Sequence, residues 1–170
     1  MKKKLQVALV KALEKASVPW VKSPRCDSDG AQDYCWLPVL ELSEGRVRVG
    51  VLPNGLWCVA NNRCIHILPE GGPCVFFLPV LESSPQVVLS LVVKGFREGG
   101  LPEEYVDLFP FEAIVFTALK SNSEYWSGLG LKWVEFIAKS PELQVVLETL
   151  SREGVTQKIR HQARKVAKLK

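Results

Sequence analysis

The sequence predicts an α+β fold: an antiparallel β meander of five to six strands, an N-terminal helix ahead of it and three to four helices behind it. Two observations carry that expectation. Short apolar runs rich in Val, Leu, Ile and Phe, separated by Gly, Pro, Asn and Ser, fill residues 35–94. From residue 111 onward the apolar positions recur at three- and four-residue steps between cap-like residues. Strands followed by helices, rather than strands alternating with them, favour α+β over a doubly wound sheet. At 170 residues the chain has the length of one domain, and residues 1–170 are taken as a single one.

The first helix is expected over 1–18. Leu5, Leu9, Ala12, Leu13 and Ala16 fall on one side with lysines and Glu14 opposite, and Pro19 ends it. Residues 21–34 hold Pro24, Gly30 and several Ser and Asp, and read as a long loop. Strand candidates then follow at 36–42 and 46–51; in the second, Val47, Val49 and Val51 share one face and Arg46 and Arg48 the other. Pro53-Asn54-Gly55 and Asn61-Asn62 supply turns around a strand at 56–60 and another at 63–68. The runs 74–81 and 87–94, joined through Ser83-Ser84-Pro85-Gln86, are apolar on both sides and are expected to be the two covered, central strands.

Helices are expected at 111–120, 124–139, 141–152 and 156–169. Ser121 with Glu124 has the form of a capping box, Ser140-Pro141-Glu142 gives a cap followed by a first-turn proline and an acid, and Gly154 stands where a helix ends. Gly128 and Gly130 on the second of these helices suggest the close approach of another backbone.

Charge is unevenly placed. The net charge is +4, yet residues 152–170 carry seven Lys or Arg against one Glu, which leaves the body slightly acidic. Met1-Lys2-Lys3-Lys4 is followed by an apolar run that stops at Lys11, so no secretory leader is expected, and no stretch approaches the ~20 apolar residues of a membrane span. A cytoplasmic protein is the resulting expectation. The five cysteines contain no Cys-x-x-Cys pair, and free, buried cysteines are expected.

Motifs that would fix a chemistry are missing: there is no phosphate loop, no dinucleotide fingerprint, no Gly-x-Ser-x-Gly elbow and no His-Glu-x-x-His. No catalytic residue and no cofactor is assigned, and a non-enzymatic, macromolecule-binding module is the leading expectation, with another protein as partner. Its contact residues are Lys158, Arg160, Arg164, Lys165 and Lys168 on the last helix, opposite an apolar stripe of Val155, Ile159, Ala163, Val166 and Leu169. Trp126 and Trp133, at helical spacing, are candidates for a partner surface, though core packing explains such a stripe as well. The alternative is a nucleic-acid-associated protein that sets the same cations against phosphates.

A third alternative is a small enzyme or metal site at Cys64-x-His66, whose two side chains share one side of a strand. Packing competes with it as an account of Cys64. The acidic stretch Arg25-Cys26-Asp27-Ser28-Asp29-Gly30 lacks the ligand spacing of a calcium loop and reads as solvated turn.

Overall fold

A computed structural model describes residues 2–26, 32–42, 45–69, 72–138 and 140–168. The chain divides into two compact units, Met1–Gly72 with Gln86–Phe109, and Pro73–Pro85 with Pro110–Lys170. The fold class is α+β, with a five-stranded antiparallel meander after an N-terminal helix and helices towards the C-terminus.

In the first unit, α1 (Lys2–Lys15) buries Leu9 and Leu13, the inner positions of its apolar side. The strands β1 (Val21–Pro24), β2 (Asp33–Leu42), β3 (Val47–Val51), β4 (Trp57–Ala60) and β5 (Ile65–Ile67) pair in sequence order, each antiparallel to the next. Register slips between Pro38 and Leu40 on β2, a bulge that bends the long strand. The sheet curls into a half-barrel, and Arg25, one residue past β1, forms a bridge with Ile65 of β5. Two non-neighbouring strands are thereby brought together. Trp36, Leu52, Cys58, Ala60 and Ile65 form a buried apolar cluster in this unit.

Helix α2 (Pro85–Glu98) lies against the sheet. It can do so because Gly95 has no side chain: a Cβ there would stand 2.0 Å from the Val39 carbonyl oxygen. At the same place Trp57 meets Phe96 and Phe109 edge-on, at 6.0 and 5.1 Å between ring centroids, and its Nε1 donates to the Leu108 carbonyl at 3.0 Å. Such edge contacts and a paired indole N–H are how a large aromatic is buried without an orphaned donor.

The second unit is helical. A 3₁₀ segment, Val75–Glu82, is followed in this unit by α3 (Phe111–Leu119), α4 (Glu124–Trp133), a further 3₁₀ turn Val134–Phe136, α5 (Pro141–Glu153) and α6 (Gln157–Lys168). Ser140 caps α5 by accepting from the Leu143 N–H, with Pro141 in the first turn, and the Gly154 N–H donates back to Leu150 at its end. The cap of α4 is Ser123, which accepts from the Trp126 N–H at 3.3 Å; Ser121, expected in that role, instead donates to the Ala118 carbonyl.

Three expectations need correction. Residues 75–94 are not strands: they form the 3₁₀ segment and most of α2, and the meander gains β1 from the stretch read as loop. The signal for α2 is present, since Val88, Val92 and Phe96 recur every fourth residue and are fully buried, and Pro85 opens the helix. Exposed Val87 and Leu89, on either side of Val88, disguised it as an all-apolar strand. The free-cysteine expectation fails for Cys26 and Cys64, which are disulfide-bonded; Cys35, Cys58 and Cys74 are free. Finally, Gly128 and Gly130 meet side chains (Ile159; Ala118 and Leu119) rather than another backbone, and it is Gly95 that serves that purpose.

Candidate functional site

The cationic residues of the C-terminal segment lie on α6. Its buried positions are Ile159 and Ala163, four residues apart, so the helix is held by one narrow side. Lys158, His161, Arg164, Lys165 and Lys168 are exposed on the remainder, and Arg160 is half-buried. Leu169, the expected end of the apolar stripe, lies outside the described residues, and Val155 at its start is exposed.

Two of these cations already have an internal role. Arg160 Nη1 donates to the Gly154 carbonyl at 2.6 Å, tying α6 to the end of α5. Lys158 pairs with Glu124 of α4 at 3.3 Å. Arg164, Lys165 and Lys168 have no carboxylate partner among the described residues. Gln157, Lys158, Arg160, His161 and Arg164 line a concave surface of this helix.

On the same unit an open groove is lined by the end of α3 and the turn after it, by α5 and by the α5–α6 connection. Val145, Val146, Leu150 and Val155 give it an apolar floor, and Lys120, Asn122 and Glu153 are among its polar lining residues. Val145 is 62% exposed, the most of any large hydrophobic residue described. Of its apolar residues the sequence singles out Val155 alone, as the start of the stripe on the last helix. Exposed Val145 sits in an otherwise regular amphipathic helix, so only the packed structure separates it from core.

The tryptophan candidates divide. Trp133 is 2% exposed and its Nε1 donates to the Leu81 carbonyl at 3.3 Å, which makes it a core residue and removes it as a partner surface. Trp126 is half-buried and packs edge-on against Tyr125, 4.8 Å between centroids. Tyr125 is exposed and donates to Glu82 Oε1 at 2.8 Å; that bond to a carboxylate raises its pKa.

The third candidate lies in the other unit, where the bridge between Arg25 and Ile65 brings Cys26 beside Cys64. The Cys26 N–H donates to the Ile65 carbonyl at 3.0 Å. Asn61 Oδ1 accepts from the N–H groups of Arg63 and Cys64 at 2.8 and 2.9 Å, fixing the turn that presents Cys64. His66 follows on β5, paired with Val59 of β4. The two sulfurs and an imidazole nitrogen of His66 all lie within 4.8 Å of one another, and all three residues are half-buried. The sequence paired Cys64 with His66 but had no means of finding Cys26, 38 residues away. The acidic stretch from Asp27 to Gly30 lies outside the described residues.

Neither of the remaining free cysteines that are buried can act as a thiolate near neutrality. Burial pushes the Cys58 thiol up to about 12 and the Cys74 thiol up to about 11. Cys58 pairs with Ile67 rather than standing opposite Cys64. No helix among the described residues is by itself long and apolar enough to cross a membrane. Comparisons with protein-family models, with curated proteins and with solved structures find no match to this chain.

Proposed function

We propose that the chain is a non-enzymatic macromolecule-binding module, and that its partner is a protein segment carrying apolar side chains flanked by acids. The supporting observation is the Val145–Val146–Leu150–Val155 groove, which leaves a large valine 62% exposed on a rigid helix and is joined through Gly154 and Arg160 to the cations of α6. Protein interfaces combine an apolar centre with a polar rim, and rim charges steer approach more than they add affinity. On that basis the groove supplies binding energy, while Arg164, Lys165 and Lys168 select an acidic partner.

The test is capture of a stoichiometric protein partner by the full chain. V145E is expected to weaken binding by a hundredfold or more, and R164E/K165E to slow association and reduce its salt dependence. Full retention by V145E sinks this reading.

A nucleic-acid contact is the second reading, supported by the exposure of Arg164, Lys165 and Lys168 together on one helix. It predicts retention on duplex DNA that falls steeply with salt, is lost in R164E/K165E and is indifferent to V145E.

A further inference from the structure

We propose that Cys26, Cys64 and His66 form a zinc site that the disulfide closes and reduction opens. Zinc favours this donor set: two thiolates and an imidazole, with a fourth position left to solvent, are a recurrent tetrahedral arrangement. The three ligand atoms already lie within 4.8 Å of one another. Two thiolates on one zinc ion stand about 3.8 Å apart, as tetrahedral geometry with Zn–S bonds of about 2.3 Å requires. With the Cα atoms 5.0 Å apart, side-chain rotation is enough to reach that separation after the sulfur–sulfur bond is broken.

The backbone around the site is held independently of the sulfur bond. The Arg25–Ile65 bridge and the Cys26 N–H on the Ile65 carbonyl fix one side. Asn61 Oδ1 fixes Cys64 by accepting from its backbone N–H, and pairing with Val59 fixes His66. A ligand set preorganised in this way does not collapse when the cross-link is cut. Half-burial leaves it open to a small reductant and to a cation.

The two states exclude each other for a chemical reason, because the ligand is a thiolate and the disulfide has none. Two equivalents of a low-molecular-weight thiol break the Cys26–Cys64 bond, giving two cysteine thiols and the disulfide of the reductant. Zinc then binds with release of two protons to solvent. In a reducing compartment the site is a metal centre; in an oxidising one it is a cross-link.

Cobalt(II) and zinc titrations of the full chain, reduced with a phosphine and desalted under anaerobic conditions, test this. The expected result is one equivalent of cobalt with thiolate-to-metal charge-transfer absorption, displaced by zinc, and no such uptake by the oxidised chain. C35S, which alters a thiol outside the site, is expected to bind like the natural chain. H66Q keeps the disulfide, so its oxidised form should melt like the parent, while its reduced form loses tenfold or more in cobalt affinity. Less than one equivalent of cobalt on the reduced chain, equal uptake by the oxidised chain, or unchanged affinity in H66Q overturns the proposal.

Discussion

The two units of this protein reach stability by opposite routes. In the first, each strand pairs with its neighbour in sequence, but the contacts that close the unit are long-range: Arg25 with Ile65, Cys26 with Cys64, Gly95 with the backbone of Val39, Trp57 with Leu108. In the second, local signals mark the ends of α4 and α5: Ser123 and Ser140 as caps, Pro141 in a first turn, Gly154 at an end. The lesson is that a helix carries its instructions within itself, whereas a strand is completed by whatever it pairs with.

That contrast can be broken, or made sharper, by perturbing each unit. The largest effect is expected from G95A, which forces a Cβ against the Val39 carbonyl oxygen at 2.0 Å; no flexible side chain can yield there. Overpacking against backbone is expected to cost about 4 kcal/mol or more, measured by urea denaturation. A G95A protein of ordinary stability would show that α2 does not lie on β2 as described.

Next comes the cross-link. Closing a loop across a separation of 38 residues removes chain entropy from the unfolded state, and reduction is expected to cost roughly 3–4 kcal/mol. Denaturation with and without reductant, in the absence of metal, measures it.

Alkaline pH probes one thiol in each unit. The folded-state pKa values of Cys58 and Cys74 are pushed up by burial, from 9.0 to about 12 and about 11. Their contribution is therefore complete below pH 9, where both states are neutral. Above it the unfolded chain releases protons that the folded chain keeps, so stability falls as pH rises from 9 towards 11 for Cys74 and towards 12 for Cys58. C58A and C74A should each flatten the alkaline limb of a stability–pH curve. If neither does, the thiols are not held neutral as inferred. Native-state labelling at neutral pH should modify Cys35 and spare both.

The smallest effect has the opposite sign. G128A places its Cβ 3.7 Å from Ile159 Cδ1, an ordinary contact, so helix propensity dominates and the protein gains up to about 1 kcal/mol. Loss of stability in G128A would mean that α4 and α6 pack more tightly than described.

How much of this was legible beforehand differs between regions. The helices α1 and α3 to α6 follow from period and punctuation, and so does the Val49–Val51 face of β3, both of whose valines are buried. The 3₁₀ segment at 75–82 was not legible, because a run such as Val-Phe-Phe-Leu-Pro-Val-Leu is apolar at either period, whereas the four-residue step of Val88, Val92 and Phe96 in α2 was there to be read. Among the site residues, the cations of α6 were found from charge alone, since a charged helix side has nowhere to go but solvent. Trp133 was ambiguous for the reverse reason, as a large aromatic at helical spacing fits a core and a contact surface equally.

The sequence by itself determined the class of the fold, the positions of five helices, the basic side of the last of them and the nearness of Cys64 to His66. All of these arise from residues within a few positions of one another, where spacing dictates direction. Only the tertiary structure decided that Cys26 joins them, that Trp133 is core and Val145 is not, and that Gly95 rather than Gly128 admits a backbone. Each of those depends on which distant segment arrives, and proximity between residues far apart in a chain is a property of its packing.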